Sequence, residues 1–219
     1  MELVKKIRMP LDIAMTVLSV ILMGGMVVFP KDEIHQILGM VLIALWTVHL
    51  ILNRRWYGSP FRRKYTAYGI MQIIVNTGIL ICALFLMISG LMMAWFVPLE
   101  IIGDSLGFAR TAHLIFSHWY YIFMCFHVGM HANMIASRIK TKPRTVRILR
   151  VLVLLISAYG VYAFVSRGIA KYMFLQQQFF FFDFDKGYVL FAADYLSILV
   201  LFAAQSHYAA RLISKIKAK

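Results

Sequence analysis

Four of the seven histidines in this chain share one spacing. His35 and His49 lie fourteen residues apart, and so do His113 and His127. In a helix, fourteen residues make just under four turns, so both members of each pair lie within about 40° of one face and about 21 Å apart along the axis. Neutral imidazole is a common metal ligand. The spacing therefore indicates ligands at two depths on each of two helices.

The composition indicates that these helices lie in a lipid bilayer. Hydrophobic residues make up 62% of the 219 residues, and the mean hydropathy is +0.77. A membrane-spanning helix needs about 20 apolar residues, whereas the alternation typical of membrane strands is absent. We therefore expect an all-α fold, a single-domain integral membrane bundle over 1–219. Its six predicted transmembrane helices are 10–29, 34–53, 68–97, 112–136, 149–166 and 188–210.

The net charge of +14 is distributed asymmetrically about these spans. Eighteen of the 23 lysines and arginines fall on the side that holds both termini, whereas acidic residues collect on the other side. The positive-inside rule then predicts that both the N- and C-termini are cytoplasmic. This distribution argues against nucleic acid as a partner. The five basic residues on the opposite side are Lys31, Arg110, Lys171, Arg167 and Lys186.

The second and fourth predicted spans run in the same direction across the membrane, which allows their histidines to pair. His35 would face His113 near the outer surface, and His49 would face His127 nearer the cytoplasm. Two imidazoles on opposite sides of an iron are what a six-coordinate b-type haem requires. The sequence therefore predicts two haem b groups, with these four histidines as iron ligands.

Several nearby residues extend this prediction. Gly39, one turn from His35, either leaves room for a macrocycle or allows close helix packing. His131 lies one turn beyond His127 and remains an alternative inner ligand. It shares a depth with Asn53, so the two are also candidates for a polar layer that contacts haem propionates. His118 is turned about 140° from the ligand face and His207 lies at the cytoplasmic edge, so neither is expected to be a ligand.

Two segments resemble the blocks of the flavinylation-associated cytochromes, a family of bacterial membrane b-type cytochromes distantly similar to ferric-reductase and cytochrome b bundles. The segments are "HQILGMVLIALWTVHLILNRRWY" and "ARTAHLIFSHWYYIFMCFHVGMH". The resemblance implies a haem-binding core over about 9–136 and a two-helix extension over about 149–212. The matching positions are His35, Gly39, His49, Asn53, Trp56, Arg110, His113, Trp119, His127 and His131.

The resemblance implies electron transfer across a bacterial cytoplasmic membrane. Electrons would pass between the cytoplasmic or quinone side and an external flavoprotein that carries FMN. The chain has no GxGxxG after a strand and no P-loop, so we expect no flavin or NAD site of its own. It would then act as the electron-transfer subunit of an oxidoreductase system. Two alternatives are a quinol- or ferric-reducing enzyme acting alone and a haem-free proton-coupled transporter.

The longest external segment, 167–187, is rich in aromatic residues, with four phenylalanines in a row at 179–182. Such a segment is typical of an interfacial aromatic belt with a short amphipathic helix. It could equally serve as a docking surface for an external redox partner or as a lid over the outer haem. Asp194, near the outer start of the last span, could accept a proton or hydrogen-bond a quinol, or it could be an interfacial cap. Asp12 is interpreted more simply, as a residue near a helix start.

Overall fold

The structure is a computed structural model that describes residues 2–25, 28–58, 66–136 and 142–216. Helices dominate these ranges, and no strand occurs within them. The basic residues at 62–64 and 138–140, on which part of the predicted orientation depends, lie outside the described residues. The helices are α1 (Glu2–Leu22), α2 (Asp32–Leu52), α3 (Ala67–Met92), α4 (Leu99–Ile102), α5 (Ser105–Ala136), α6 (Pro143–Ser166), α7 (Ile169–Met173) and α8 (Gly187–Ile216).

The predicted helical class is confirmed, and four helices are long and apolar enough to cross a membrane. These are α2, α3, α6 and α8 over Gly187–Ile213. Large apolar side chains on their outer surfaces are exposed, as with Leu154 at 65% and Val165 at 71%. Exposed apolar surface of this extent is stable in lipid but not in water. α1 and α5 overlap the two remaining predicted spans, although α1 ends at Leu22, well before the predicted end at residue 29, and polar residues lower the mean hydropathy of both helices.

α5 is the central helix, since it packs against both α3 and α8. Small residues allow these close approaches. A Cβ at Gly129 would lie 2.0 Å from the backbone oxygen of Ala203, and a Cβ at Gly160 would lie 2.5 Å from that of Ser197. Small residues serve this purpose in membrane helices generally, because van der Waals packing drives helix association there. Gly129 and Gly160 therefore allow α8 to pack closely on α5 and α6.

Gly160→Val is expected to separate α6 from α8 and to destabilise the protein by about 1–3 kcal/mol, because a side chain there overlaps backbone atoms that cannot move aside. Thermal unfolding of the purified protein in detergent measures the effect. Gly107→Val is the control, since a Cβ at Gly107 meets nothing within 4 Å. Equal melting temperatures for the two variants would contradict the close packing of α6 on α8.

α1 and α2 form an N-terminal pair that packs chiefly on itself and touches the remaining helices at few points. Asp32 and Glu33 lie in the first turn of α2, where negative charge favours the helix dipole. At the other end, the Arg8 side chain donates a 2.6 Å hydrogen bond to the carbonyl oxygen of Leu52, which satisfies one of the free carbonyls of the last turn. α2 therefore lies at the edge of the bundle with α1 beside it.

A buried ion pair joins the end of α6 to α8. Nε of Arg167 lies 2.7 Å from Oδ2 of Asp194, and the Tyr159 hydroxyl donates to Oδ1 of the same carboxylate at 2.5 Å. The Arg167 guanidinium also lies over the Phe191 ring, 5.4 Å from its centroid. Asp194 is therefore the anchor of an inter-helix contact, and the interpretation as an interfacial cap understates its role.

The expected short helix in the aromatic segment 167–187 is present as α7, with Ile169, Tyr172 and Met173 buried and Lys171 exposed. Helix is confined to α7, and residues 174–186 adopt turns and irregular structure. Within it, Phe182 is buried, whereas Phe179, Phe181 and Phe184 are exposed by 81%, 71% and 66%. Trp119 of α5 donates a 2.9 Å hydrogen bond to the carbonyl oxygen of Met173, which holds α7 against α5.

Candidate functional site

Two pairs of histidine rings lie between α2 and α5. The ring centroids of His35 and His113 are 6.3 Å apart with planes at 67°, and those of His49 and His127 are also 6.3 Å apart with planes at 74°. The structure thus brings together the same partners that the fourteen-residue spacing pairs. The two pairs are separated along the helices by about 21 Å, the rise of fourteen helical residues.

The ring separation fits two imidazoles on one iron. With iron–nitrogen bonds of about 2.0 Å and about 1.1 Å from nitrogen to ring centre, two such rings have centroids about 6.2 Å apart. Ordinary edge-to-face ring pairs also occur at this distance. The hydrogen bonds of the ring nitrogens are therefore the sharper criterion for a metal ligand.

In the inner pair, each ring is held through Nδ1 by a side chain from another helix. Nδ1 of His49 donates to Oδ1 of Asp12 on α1 at 2.8 Å, and Nδ1 of His127 donates to Oδ1 of Asn76 on α3 at 2.8 Å. Both bonds require the tautomer that carries its proton on Nδ1. Nε2 of each ring is then a free lone pair, which is the state that a metal ligand needs.

The outer pair follows the same pattern with other groups. Nδ1 of His113 lies 3.2 Å from the Ser89 hydroxyl, which itself donates to the carbonyl oxygen of Phe85 at 2.6 Å and so accepts from the ring. Nδ1 of His35 is buried and has no hydrogen-bond partner among the described residues. A Cβ at Gly90 would lie 3.5 Å from Cε1 of His113, so a larger residue there would press on this ring.

The common feature of the four rings is an occupied or buried Nδ1 and an uncommitted Nε2. No hydrogen bond in the described part of the chain uses Nε2 of any of the four. Metal-binding histidines in proteins are held in this way by a second layer of acceptors. Among the described residues, no group of three or more His, Cys, Asp or Glu side chains could hold a metal ion by itself. A haem iron does not need such a group, because the porphyrin supplies most of its ligands.

His131 and Asn53, the predicted companions of the inner pair, lie close to it in different ways. The His131 ring is 4.7 Å from that of His127 and is tilted by 57°. The Asn53 side chain donates a 2.9 Å hydrogen bond to the carbonyl oxygen of His49, at the end of α2. The structure therefore places His127 opposite His49 and places His131 beside them, where a polar contact with a bound group is its simplest role.

The two glycines near the ligand positions differ in their surroundings. A Cβ at Gly39 would meet no atom within 4 Å, so close packing against a neighbouring helix does not explain this glycine. The open space adjoins the outer histidine pair one turn away. At Gly129, in contrast, α8 occupies the space that a side chain would need, so this glycine serves helix packing. Of the two readings of Gly39 from the sequence, the open surroundings favour the one in which it leaves space.

The remaining two histidines lie apart from the pairs, as the off-face angle of His118 and the position of His207 at the edge of its span predict. His118 is buried, with Nδ1 bonded to the carbonyl oxygen of Leu114 at 2.8 Å, and its ring stacks on Tyr172 of α7 at 4.5 Å and 17°. His207 contacts the Tyr208 ring at 5.2 Å. Both serve packing within the described structure.

Sequence reasoning missed Asp12, Asn76 and Ser89, the three side chains that hold the rings. Asn76 and Ser89 are thirteen residues apart on α3, which matches the depth interval of the histidines. In an ideal helix, however, thirteen residues correspond to a rotation of about 220°, which places the two residues on nearly opposite faces. The sequence therefore gives no reason to expect both of them to contact α5. Asp12 follows several basic residues in the sequence, so it is more simply interpreted as a residue near a helix start.

Comparison of the chain with protein-family models, with curated proteins and with solved structures finds no match. The class that the fold defines is a helical protein with four helices suited to a lipid bilayer. Within that class, the distinguishing feature is two histidine pairs, in which side chains from neighbouring helices hold three of the four rings.

Proposed function

We propose that this chain is a six-span membrane cytochrome that binds two haem b groups and carries electrons across the bacterial cytoplasmic membrane. The observation that supports it most is the pair of matched histidine contacts, each with a ring separation of 6.3 Å. Buried histidines in membrane helices are costly unless they have a function. Two pairs at two depths, with Nδ1 held by another side chain in three of the four rings, are best explained as four iron ligands.

The six spans and the cytoplasmic termini are part of this proposal. α5 has 32 residues and is about 48 Å long, more than the bilayer needs. Its low hydropathy comes from Arg110 and four histidines, and under the proposal two of those histidines are covered by bound haem. α1 carries the basic start expected of a cytoplasmic end. The orientation itself is supported by the distribution of lysine and arginine in the sequence.

The chain's own residues would bind, orient and insulate the two groups. Haem supplies a reversible one-electron change at iron. His35 and His113 would hold the outer group, and His49 and His127 would hold the inner one. Asp12, Asn76 and Ser89 fix the ring planes and keep the proton on Nδ1, which makes Nε2 a stronger donor to a metal. The apolar residues between the two depths exclude water.

The proposed partners are a quinone on the cytoplasmic side and an external FMN-carrying flavoprotein. Support for an external partner comes from the exposed rings of Phe179, Phe181 and Phe184 on the segment after α7. Aromatic side chains are common at protein interfaces. The same rings also suit the membrane interface, and the two roles are compatible on one surface.

A dithionite-reduced absorption spectrum of the purified full chain tests the proposal. We expect b-type α and Soret bands, with about two haems per chain because there are two histidine pairs. A protein that is folded in detergent but has no such bands would reject the proposal and favour a proton-coupled transporter. Reduction of the haem by quinol without an added partner would instead indicate an enzyme that acts alone.

Asp12→Asn is expected to raise the midpoint potential of the inner haem by tens of millivolts. The Asp12 carboxylate that accepts from His49 stabilises the more positive, oxidised iron. A difference of about 1 kcal/mol corresponds to about 40 mV for one electron. Spectroelectrochemical titration resolves the two haems. Asp104→Asn removes an exposed carboxylate elsewhere, so both potentials should keep their wild-type values. Equal shifts in the two variants would contradict a specific role for Asp12.

A further inference from the structure

A cavity of about 240 Å³ lies at the end of α6, beside α7 and the irregular segment that follows it. It belongs to no histidine pair, and the residues around it lie at or beyond the ends of the long apolar helices. Its polar lining comes from Arg167, Lys171, Tyr172, Gln177, Asp183 and Lys186. Three of these six residues are cationic, so the nature of their partners decides what the cavity can bind.

Arg167 has a donor with no acceptor. Its Nε is paired with Asp194, and the side chain is only 10% exposed. Its Nη2 is buried and has no hydrogen-bond partner. An unsatisfied buried donor is unfavourable, and more so when it belongs to a charged group. Arg167 also lines the cavity, so its guanidinium brings a positive charge there, although Nη2 itself is covered by neighbouring atoms.

Tyr172 contributes a second donor. Its hydroxyl oxygen accepts hydrogen bonds from Nε2 of Gln177 and from the backbone N–H of Phe181, both at 3.0 Å. Burial raises the pKa of Tyr172, so the phenol keeps its proton at neutral pH. Among the described residues no group accepts that proton. The hydroxyl is therefore a neutral donor whose two acceptor positions are already used.

The two lysines of the cavity differ in their partners. Nζ of Lys186 lies 3.1 Å from Oδ2 of Asp183, and this hydrogen bond lowers the pKa of Asp183, so the carboxyl is ionised and balances that lysine. Lys171 is exposed and has no ion pair in the described part of the chain. With Arg167 balanced by Asp194, the cavity is left with one positive charge in excess, at Lys171.

We propose that this cavity binds a phosphate group. Two donors that lack acceptors, from Tyr172 and Lys171, lie beside the Arg167 guanidinium and match the acceptor oxygens of a phosphate, and the excess charge matches its sign. The volume is below that of typical sites for drug-sized ligands, which suits a phosphate with a small substituent. The phosphate would come either from a lipid headgroup at the membrane surface or from solution. This site does not depend on bound haem.

Calorimetric titration of the purified full chain with inorganic phosphate, in a phosphate-free maltoside detergent, tests the proposal. We expect saturable binding that weakens about tenfold or more in Lys171→Gln, since a charge-assisted contact is lost. Lys171 is exposed, so this variant should fold as the wild type does. Lys31→Gln removes another exposed lysine from the side predicted to be external and should bind phosphate normally.

Repeating the titration in phosphatidylglycerol nanodiscs identifies the source of the phosphate. Loss of inorganic phosphate binding in nanodiscs would indicate that a lipid headgroup occupies the site, and retained binding would indicate a soluble ligand. Either outcome supports a phosphate site. The proposal is overturned if the wild type shows no saturable binding in detergent, or if Lys171→Gln and Lys31→Gln bind phosphate equally well.

Discussion

His127→Ala is expected to lower the haem content from about two to about one per chain and to leave the outer haem in place. The variant removes one of the two imidazoles that would hold the inner haem, whereas the outer pair on the same two helices is about 21 Å away. Haem quantified against protein gives the stoichiometry. Low-temperature spectra then identify the site that is lost, because the two haems have different surroundings.

His131→Ala is the matched control, since its ring lies 4.7 Å from that of His127 on the same helix. Two haems should remain in this variant, with at most a shift in the inner potential. The opposite pattern, with the inner haem lost in His131→Ala and kept in His127→Ala, would assign the inner ligand to His131. No loss of haem in either variant would contradict ligation by this part of α5.

Asp194→Ala is expected to be the most destabilising single change outside the histidine pairs, by about 3–5 kcal/mol, because it leaves the Arg167 guanidinium buried without its counter-charge. The Tyr159 hydroxyl loses its acceptor at the same time. For a chain of this size, a loss of that order lowers the melting temperature by roughly ten degrees. Thermal unfolding followed by intrinsic fluorescence in detergent measures it.

Asp183→Ala removes a carboxylate from an exposed ion pair, with Lys186 as its partner. Exposed pairs contribute little to stability, about 1 kcal/mol or less, so this variant should melt close to the wild type. Both aspartates are paired but only Asp194 is buried, so comparing the two variants shows whether burial or pairing causes the loss of stability. If Asp194→Ala and Asp183→Ala have the same melting temperature, the contact between α6 and α8 does not depend on the buried ion pair.

The pairing of the histidines could be predicted from the sequence because it depends on few quantities. The helical repeat fixes which residues share a face, and the order of the apolar spans fixes which helices run in the same direction. Two intervals of fourteen residues then determine both partners and both depths. The sequence can therefore name the partners and their depths, whereas the approach of the rings also requires that the histidine faces of α2 and α5 point toward each other, as they do here.

The residues that hold the rings could not be predicted, because they depend on the rotation and tilt of α1 and α3. Asp12 reaches His49 only when α1 lies beside α2, and Asn76 reaches His127 only when α3 turns its polar positions toward α5. Hydropathy does not encode these rotations. The segment 174–186 shows a similar limit: Leu175 has a positive φ of 55°, so the chain leaves the helical region directly after α7.

The loose attachment of α1 and α2 to the other helices has a consequence for biogenesis. They precede the other helices in the chain, so they leave the ribosome before them and can enter the membrane as a finished hairpin, with His49 already held by Asp12. Each proposed binding cleft then has only one wall until α3 and α5 are made and dock. Under the proposed function, haem would be captured when α5 docks, and a shortage of haem would leave the hairpin unanchored for quality-control proteases.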